Sequence, residues 1–184
     1  MSISPRSISR QRVTEDAVSP ITGPVKVICF ELLYIDEQYN VGFRLIQIDG
    51  YRIDESSKYT KDHLWVRTQN DGTVLVGLGD YFFKRYRNVQ SCEFPKVGTE
   101  VVQSKAMGSI ETVKGTVQIY AAITGQVKEN NTEFLSRLKD IEKDPYNSGW
   151  ILRLLPSRWA TEEKALLSAE QYASYIRKLV DAGL

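Results

Sequence analysis

Residues 108–115, which read Gly-Ser-Ile-Glu-Thr-Val-Lys-Gly, predict a tight turn between two β-strands. The β-branched residues of this segment favour extended backbone, and Gly115 supplies the conformational freedom that a chain reversal needs. The turn presents Lys114 at its tip. A lysine placed there is a poor acid or base because nothing buries its amine, but it is well placed for covalent attachment of another group.

Short β-branched segments surround this turn and are separated by Gly, Pro, Asn and Asp. They include residues 73–78, 99–102 and 116–120. The Asn-Asp-Gly sequence at 70–72 is a good hairpin turn in front of the first of them. Strands this short, with turns this frequent, predict a small β-sandwich or barrel.

Composition excludes several classes of function. The chain has 184 residues, of which 42% are hydrophobic, enough for one core with an appendage. No apolar run approaches the roughly 20 residues that span a bilayer. The net charge of +1 gives no general case for binding nucleic acid. We expect the two cysteines, Cys29 and Cys92, to be reduced and at least partly buried.

The single histidine, His63, excludes a histidine-based metal cluster, and we expect no metal site. The sequence places no serine or cysteine nucleophile beside His63. We therefore expect a structural histidine and no catalytic residue.

The residues before 58 divide into two parts. Residues 1–24 begin with arginines and serines and have no acidic residue until Glu15, a composition typical of a mitochondrial presequence but also of a disordered basic tail. Residues 25–57 contain two β-rich stretches, 25–34 and 41–48, around a turn-like segment at 36–40. They predict an extra β-hairpin packed on the main domain, or an unstable insert.

Residues 58–184 contain five further segments besides the lysine turn. They are 59–66 (YTKDHLWV), 76–81 (VGLGDY), 94–98 (FPKVG), 144–150 (DPYNSGW) and a closing amphipathic helix around 168–172. In their order, and in the similarity of the first to Y-T-K-x-H-E-W-V, residues 58–184 resemble the glycine cleavage system H-protein family, whose members bear lipoic acid. Gly98 and Gly125 flank Lys114 as glycines do in lipoyl domains.

The resemblance implies a mainly β fold, the lipoyl/biotinyl-type flattened β-barrel sandwich or hammerhead, with short marginal helices and a C-terminal helix. It implies lipoic acid bound through an amide to Lys114. Glu111, Gly98 and Gly125 are then the positions that serve lipoylation recognition. Biotin is the neighbouring alternative, but biotinyl domains present the lysine between two methionines, and here Val113 and Gly115 flank it.

The family's function implies a carrier that catalyses nothing itself. Its lipoyl-lysine takes the aminomethyl intermediate of glycine catabolism between glycine decarboxylase, aminomethyltransferase and dihydrolipoyl dehydrogenase. Lipoate-attaching enzymes are the further partners, and we expect a monomer with no nucleic-acid partner. The basic leader favours the mitochondrial matrix as location, with the cytoplasm as the alternative.

Three positions depart from the family's pattern for the cleft that holds the arm. The family places an acidic residue in its H-E-W motif, a polar residue in the helix after its T-D motif and an acidic residue four positions beyond the lysine. This chain has Leu64, Arg85 and Gln118 there. Two carboxylates are lost and a cation is gained, so a protonated amine on the arm finds less attraction.

The helix that contains Arg85 is also more aromatic and basic than in the family. We expect its aromatic side chains, Phe82, Phe83 and Tyr86, to cover the core and its cations to be solvated. The functional alternative is a basic rim beside the lysine that suits an acidic partner.

Three hypotheses follow. The first is the lipoyl carrier of the glycine cleavage system. The second is a carrier of the same family used elsewhere, either to relay lipoate to other lipoyl proteins or in heterodisulfide-reductase-like sulfur oxidation. The third is an unmodified interaction module whose N-terminal segment is the working surface.

Overall fold

The computed structural model describes residues 34–35 and 42–183. Short strands account for most of the regular structure. The strands are β1 (Tyr34–Ile35), β2 (Gly42–Phe43), β3 (Leu45–Ile48), β4 (Tyr51–Asp54), β5 (Lys58–Tyr59), β6 (Leu64–Thr68), β7 (Val74–Leu78), β8 (Val89–Glu93), β9 (Glu100–Val101), β10 (Ala106–Thr112), β11 (Gly115–Tyr120), β12 (Gly125–Asn130) and β13 (Trp150–Pro156). The helices are α1 (Asp80–Arg85), α2 (Leu138–Lys143), α3 (Trp159–Glu162), a 3₁₀ helix (Glu163–Ala165) and α4 (Ala169–Asp181).

Two antiparallel sheets make up the main domain. A six-stranded sheet has the order β5-β6-β7-β13-β12-β9, and a three-stranded sheet has the order β11-β10-β8. The prediction of a mainly β, lipoyl-type sandwich is confirmed, although no sheet among the described residues closes into a barrel. The predicted hairpin turn at 70–72 is also confirmed, since it joins the paired strands β6 and β7.

The core between the sheets follows from the alternation of side chains along each strand. Val74 and Val76 of β7 point inward and belong to one buried cluster with Ile110 of β10 and Ile119 of β11. Burial of such aliphatic side chains is the main force that holds the two sheets together. The cluster therefore fixes the position of the β10–β11 hairpin on the six-stranded sheet.

Helix α4 covers the opposite face of the six-stranded sheet. It begins with a capping box, in which Ser168 and Gln171 each accept from the other's backbone N–H. Its buried residues are spaced for one helical face: Ala169, Tyr172, Ala173 and Ile176. They pack in a second cluster with Trp65 of β6 and Tyr59 of β5. Both faces of β6 are therefore buried.

The segment before the domain contains a hairpin that lies later in the chain than the predicted one. β3 pairs with β4 through a turn at Asp49 and Gly50, both with positive φ. Of the predicted pair 25–34 and 41–48, the structure pairs Tyr34–Ile35 with Gly42–Phe43, and residues 25–33 lie outside the described residues. None of the helices that the structure describes is long and apolar enough to span a membrane.

Candidate functional site

The β10–β11 hairpin ends in a two-residue turn. Thr112 and Gly115 are its last paired residues, so Val113 and Lys114 alone form the tip, and both are exposed. The Thr112 hydroxyl donates to the Gly115 carbonyl at 2.9 Å and accepts from the Lys114 backbone N–H at 3.2 Å. Gly115 has a φ of 125°, a value that other residues rarely adopt. These features hold the turn that projects Lys114.

The sheet supports this hairpin almost to its tip. β10 pairs with β8 on its other edge, and the last pair joins Thr112 to Val89. A register shift lies between Glu111 and Thr112 in that pairing. The backbone of Thr112 is therefore held by a strand on each side, and only the turn extends beyond the sheet.

A cleft of about 220 Å³ lies between this turn and the end of α1. Its lining comes from both elements: Arg85, Tyr86, Thr112, Lys114, Gly115, Thr116 and Val117. No carboxylate is among these residues. Within the part of the chain that the structure describes, the Lys114 amine forms no ion pair, so it is available for acylation.

Of the three positions that depart from the family, the structure brings only Arg85 to this cleft. Leu64 is fully buried between the sheets, with Val66 on the same face of β6. Gln118 lies on the face of β11 opposite to Val117 and Ile119, and its side-chain amide donates to the Gly108 carbonyl at 2.6 Å. Leu64 and Gln118 therefore do not line the cleft beside Lys114, and the assignment of the three positions to the cleft that holds the arm stays a prediction.

The residues assigned to lipoylation recognition lie in two places. Glu111 is exposed beside the turn, and its carboxylate accepts from the Ser91 hydroxyl at 2.8 Å. Gly98 has a φ of 89° and donates its backbone N–H to the Val127 carbonyl at 2.8 Å. A Cβ on Gly125 would lie 2.5 Å from the Leu155 carbonyl oxygen. The positive φ of Gly98 and the close backbone contact of Gly125 thus explain why each position has a glycine.

Helix α1 reaches the cleft because its first residue is held by a buried ionic cluster that the sequence reasoning missed. Asp80 accepts from the backbone N–H and the guanidinium of Arg52 on β4, and Lys84 lies 2.7 Å from its other oxygen. Phe82 and Phe83 are buried, whereas the cations of this helix are exposed, as the aromatic and basic pattern predicted. The available signal was an aspartate just before an aromatic run.

His63 has a structural environment. Its ring is buried, and Nδ1 forms a hydrogen bond of 3.0 Å with the Tyr172 hydroxyl. Burial lowers the pKa of His63 from 6.5 to about 4, so the ring is neutral at pH 7. It packs 4.4 Å from the ring of Tyr81. These contacts account for the histidine without a catalytic role.

The cysteines and the possible metal ligands form no second reactive site among the described residues. Cys92 on β8 is half-buried, and burial raises the pKa of its thiol. Cys29 lies outside the described residues. No group of three or more histidine, cysteine or carboxylate side chains that could hold a metal ion occurs among residues 44–183.

Comparison with known proteins agrees with this geometry. The sequence profile of the glycine cleavage H-protein family matches residues 57–179. A probable glycine cleavage system H protein of Pyrococcus horikoshii is 38% identical over 135 residues, which are 73% of this chain and 100% of the relative. The glycine cleavage system H protein 4 of Aquifex aeolicus is 34% identical over 134 residues, covering 73% of this chain and 77% of the relative.

A solved structure shows the same fold. The crystal structure of a glycine cleavage system H protein from Mycobacterium marinum superposes with a TM-score of 0.58 at 28% identity. The match covers 71% of this chain and 98% of that one.

These relatives correct the predicted location. They are proteins of archaea and bacteria, which have no mitochondria. The predicted mitochondrial matrix location, with residues 1–24 as a transit peptide, is therefore wrong. The composition of residues 1–24 did not distinguish a targeting signal from any other basic segment.

The profile match, the relatives covered along most of this chain and the shared fold agree, and the chain belongs to the glycine cleavage H-protein family.

Proposed function

We propose that Lys114 carries lipoate in amide linkage and that the chain serves as a non-catalytic lipoyl carrier among the enzymes of the glycine cleavage system. The observation that supports this most directly is the exposed position of Lys114 at a two-residue turn. Members of the family are lipoyl carriers, and the order of motifs around Lys114 matches theirs.

The residues around Lys114 fit such a group. Its amine is exposed and has no carboxylate partner among the described residues, so an attaching enzyme meets no ion pair to break. Thr112 and Gly115 hold the turn in one conformation, which presents the amine at a constant position. When bound, lipoate supplies a dithiolane whose sulfurs accept electrons and carry a transferred group. The chain's own contribution is a tether that raises effective concentration at successive active sites.

Glu111 and the two flanking glycines have different parts in this proposal. Glu111 is exposed three residues before Lys114, so a lipoate-attaching enzyme can contact it directly. Gly98 and Gly125 contribute indirectly, because Gly98 permits the positive φ of its turn and Gly125 permits a close backbone approach to Leu155. The partners are then glycine decarboxylase, aminomethyltransferase, dihydrolipoyl dehydrogenase and lipoate-attaching enzymes, which a monomer would meet one at a time.

A second candidate is a lipoyl carrier of the same family that serves other partners, in lipoate relay or in sulfur oxidation of the heterodisulfide-reductase type. The observation that favours it is the cleft beside Lys114, whose lining contains Arg85 and no carboxylate. An arm that ends in an ammonium group gains nothing from such a cleft.

Intact-mass measurement after co-expression with a lipoate ligase tests the common part of both candidates. We expect one lipoyl increment on the wild-type chain and none on Lys114→Ala, with unchanged circular dichroism and thermal melting because Lys114 is exposed. Lys105→Ala, another exposed lysine near the start of β10, is the matched control and keeps the increment. An unmodified wild-type chain refutes both candidates.

Exchange of labelled bicarbonate into glycine with the decarboxylase separates the two candidates. The lipoylated protein supports exchange if it serves glycine cleavage. A fully lipoylated protein that supports no exchange refutes the first candidate and leaves the second.

A further inference from the structure

The cleft beside Lys114 has an unbalanced charge. Its lining contains two cationic side chains, Lys114 and Arg85, and no anionic one. Acylation converts the Lys114 amine into a neutral amide, so Arg85 then becomes the only charged residue in the lining. Any charged group that an attached arm brings back to this cleft therefore meets a guanidinium.

Arg85 differs from the cations beside it. Lys84 is paired with Asp80 at 2.7 Å, and the Arg87 guanidinium donates to the Lys84 carbonyl at 3.3 Å. Among the described residues, Arg85 forms no ion pair with a carboxylate. Glu111, the acidic residue nearest to Lys114 in sequence, accepts from Ser91 on the other face of the hairpin.

The position of Arg85 is nevertheless fixed by its helix. Phe82 and Phe83 are buried on one side of α1, and Asp80 holds its first turn to β4 through Arg52. A six-residue helix fixed at its start and along one face keeps the Arg85 backbone beside the cleft. Its guanidinium offers planar, paired N–H donors that match the two oxygens of a carboxylate or related anion.

We propose that this cleft binds an anionic group, a carboxylate or sulfonate, at the end of the Lys114-linked arm, with Arg85 as its counter-ion. The proposal rests on the proposed lipoyl attachment and deepens the second candidate function, because an anionic cargo differs in charge from the aminomethyl group of glycine cleavage. The tether makes it feasible: one exposed ion pair is weak in free solution, but an attached group is present at millimolar effective concentration.

The test gives the reduced arm three different ends. Lipoylated full-length protein with Cys29→Ser and Cys92→Ser is reduced and alkylated with iodoacetate, iodoacetamide or bromoethylamine. Each arm sulfur loses its proton and displaces halide to form one C–S bond. The arm then carries carboxymethyl anions, neutral carboxamidomethyl groups of nearly the same shape, or aminoethyl cations. Intact mass confirms lipoylation and double alkylation before any comparison.

Docking is measured by ¹⁵N NMR at the Arg85 Nε–H and at the backbone amides of Thr116 and Val117. We expect the carboxymethyl arm to shift these signals and the neutral and cationic arms to leave them near the positions of unmodified protein. Salt should reverse the shifts, because an exposed ion pair is screened. Arg85→Gln should lower the docking constant by about two- to fivefold, as expected for one partly exposed pair.

The matched control is Arg87→Gln, which removes an exposed cation from the same end of α1 but not from this cleft. It should retain full docking of the carboxymethyl arm. Equal shifts from the carboxymethyl and carboxamidomethyl arms, docking of the aminoethyl arm, or equal effects of the two arginine substitutions would overturn the proposal while leaving lipoyl attachment intact. A chain that takes no lipoyl group overturns both.

Discussion

Replacement of Asp80 by asparagine tests whether the buried ionic cluster holds α1 in place. The Asp80 side chain is 1% exposed, and its two oxygens receive the backbone N–H of Arg52 at 3.0 Å, the Arg52 Nε and Nη2 at 3.1 and 2.6 Å, and the Lys84 Nζ at 2.7 Å. Asparagine keeps the shape of the side chain but replaces one acceptor oxygen with an NH₂ donor. That donor would face N–H groups, and the two cations would lose their counter-charge.

The size of the effect follows from how far each partner is buried. Loss of one member of a buried ion pair costs about 3–5 kcal/mol. The side chains of Arg52 and Lys84 are 30% and 41% exposed, so water partly solvates them after the substitution. We therefore expect a loss of about 3 kcal/mol in the free energy of unfolding, the lower end of that range.

Urea unfolding followed by tryptophan fluorescence measures this loss. With a slope of about 2 kcal/mol per molar urea, the midpoint should fall by about 1.5 M. A double-mutant cycle with Arg52→Gln should give a coupling energy of at least about 1 kcal/mol, because the two residues share one network. The control is Glu133→Gln, which breaks an exposed pair with Arg137 and should cost less than about 0.5 kcal/mol.

The reasoning fails if Asp80→Asn lowers the free energy of unfolding by less than about 1 kcal/mol, or if its effect and that of Arg52→Gln simply add. Either result would mean that Phe82 and Phe83 alone hold α1 and that the ion cluster is incidental.

Three further predictions concern the core, pH and the turn. Gly77→Ala should lower the melting temperature by about 5 °C or more, because its Cβ would lie 2.3 Å from a Trp65 ring atom. Since burial lowers the pKa of His63 to about 4, stability should be complete above about pH 6.5 and fall by about 1.4 kcal/mol per unit as the pH drops towards 4. Urea unfolding at several pH values should show this slope, and His63→Asn, which tolerates the positive φ, should remove it. Thr112→Val should cost about 1 kcal/mol through loss of the bond to the Gly115 carbonyl and should slow lipoylation in a ligase assay; an unchanged rate would argue against a held turn.

The parts of the fold that sequence could predict depend on neighbouring residues. The turn at Lys114 follows from β-branched flanks and one glycine, and the turn at 70–72 from Asn-Asp-Gly, so both are encoded within a few positions. The faces of the β10–β11 hairpin are encoded as simply. With Thr112 and Gly115 as its last pair, alternation alone places Gln118 away from Val117.

The rest of the site depends on contacts between distant segments. Arg52 and Asp80 are 28 positions apart, and nothing in either local sequence shows that β4 packs beside α1. The position of Leu64 was equally hard to predict, because its strand is buried on both faces. Trp65 packs under α4, and Leu64 packs between the sheets. A run of apolar residues does not show which face each side chain takes.

The shortness of the Lys114 turn sets the reach of anything attached to it. Paired strands hold the backbone up to Thr112 and from Gly115 onward, so the base of an attached arm is a nearly fixed point at the sheet's end. Bond rotations in one side chain and its attached group then define a dome of fixed radius around that point. A partner enzyme must bring the mouth of its active site within this dome, and a catalytic centre deeper than the arm is long stays out of range whatever the affinity between the two surfaces.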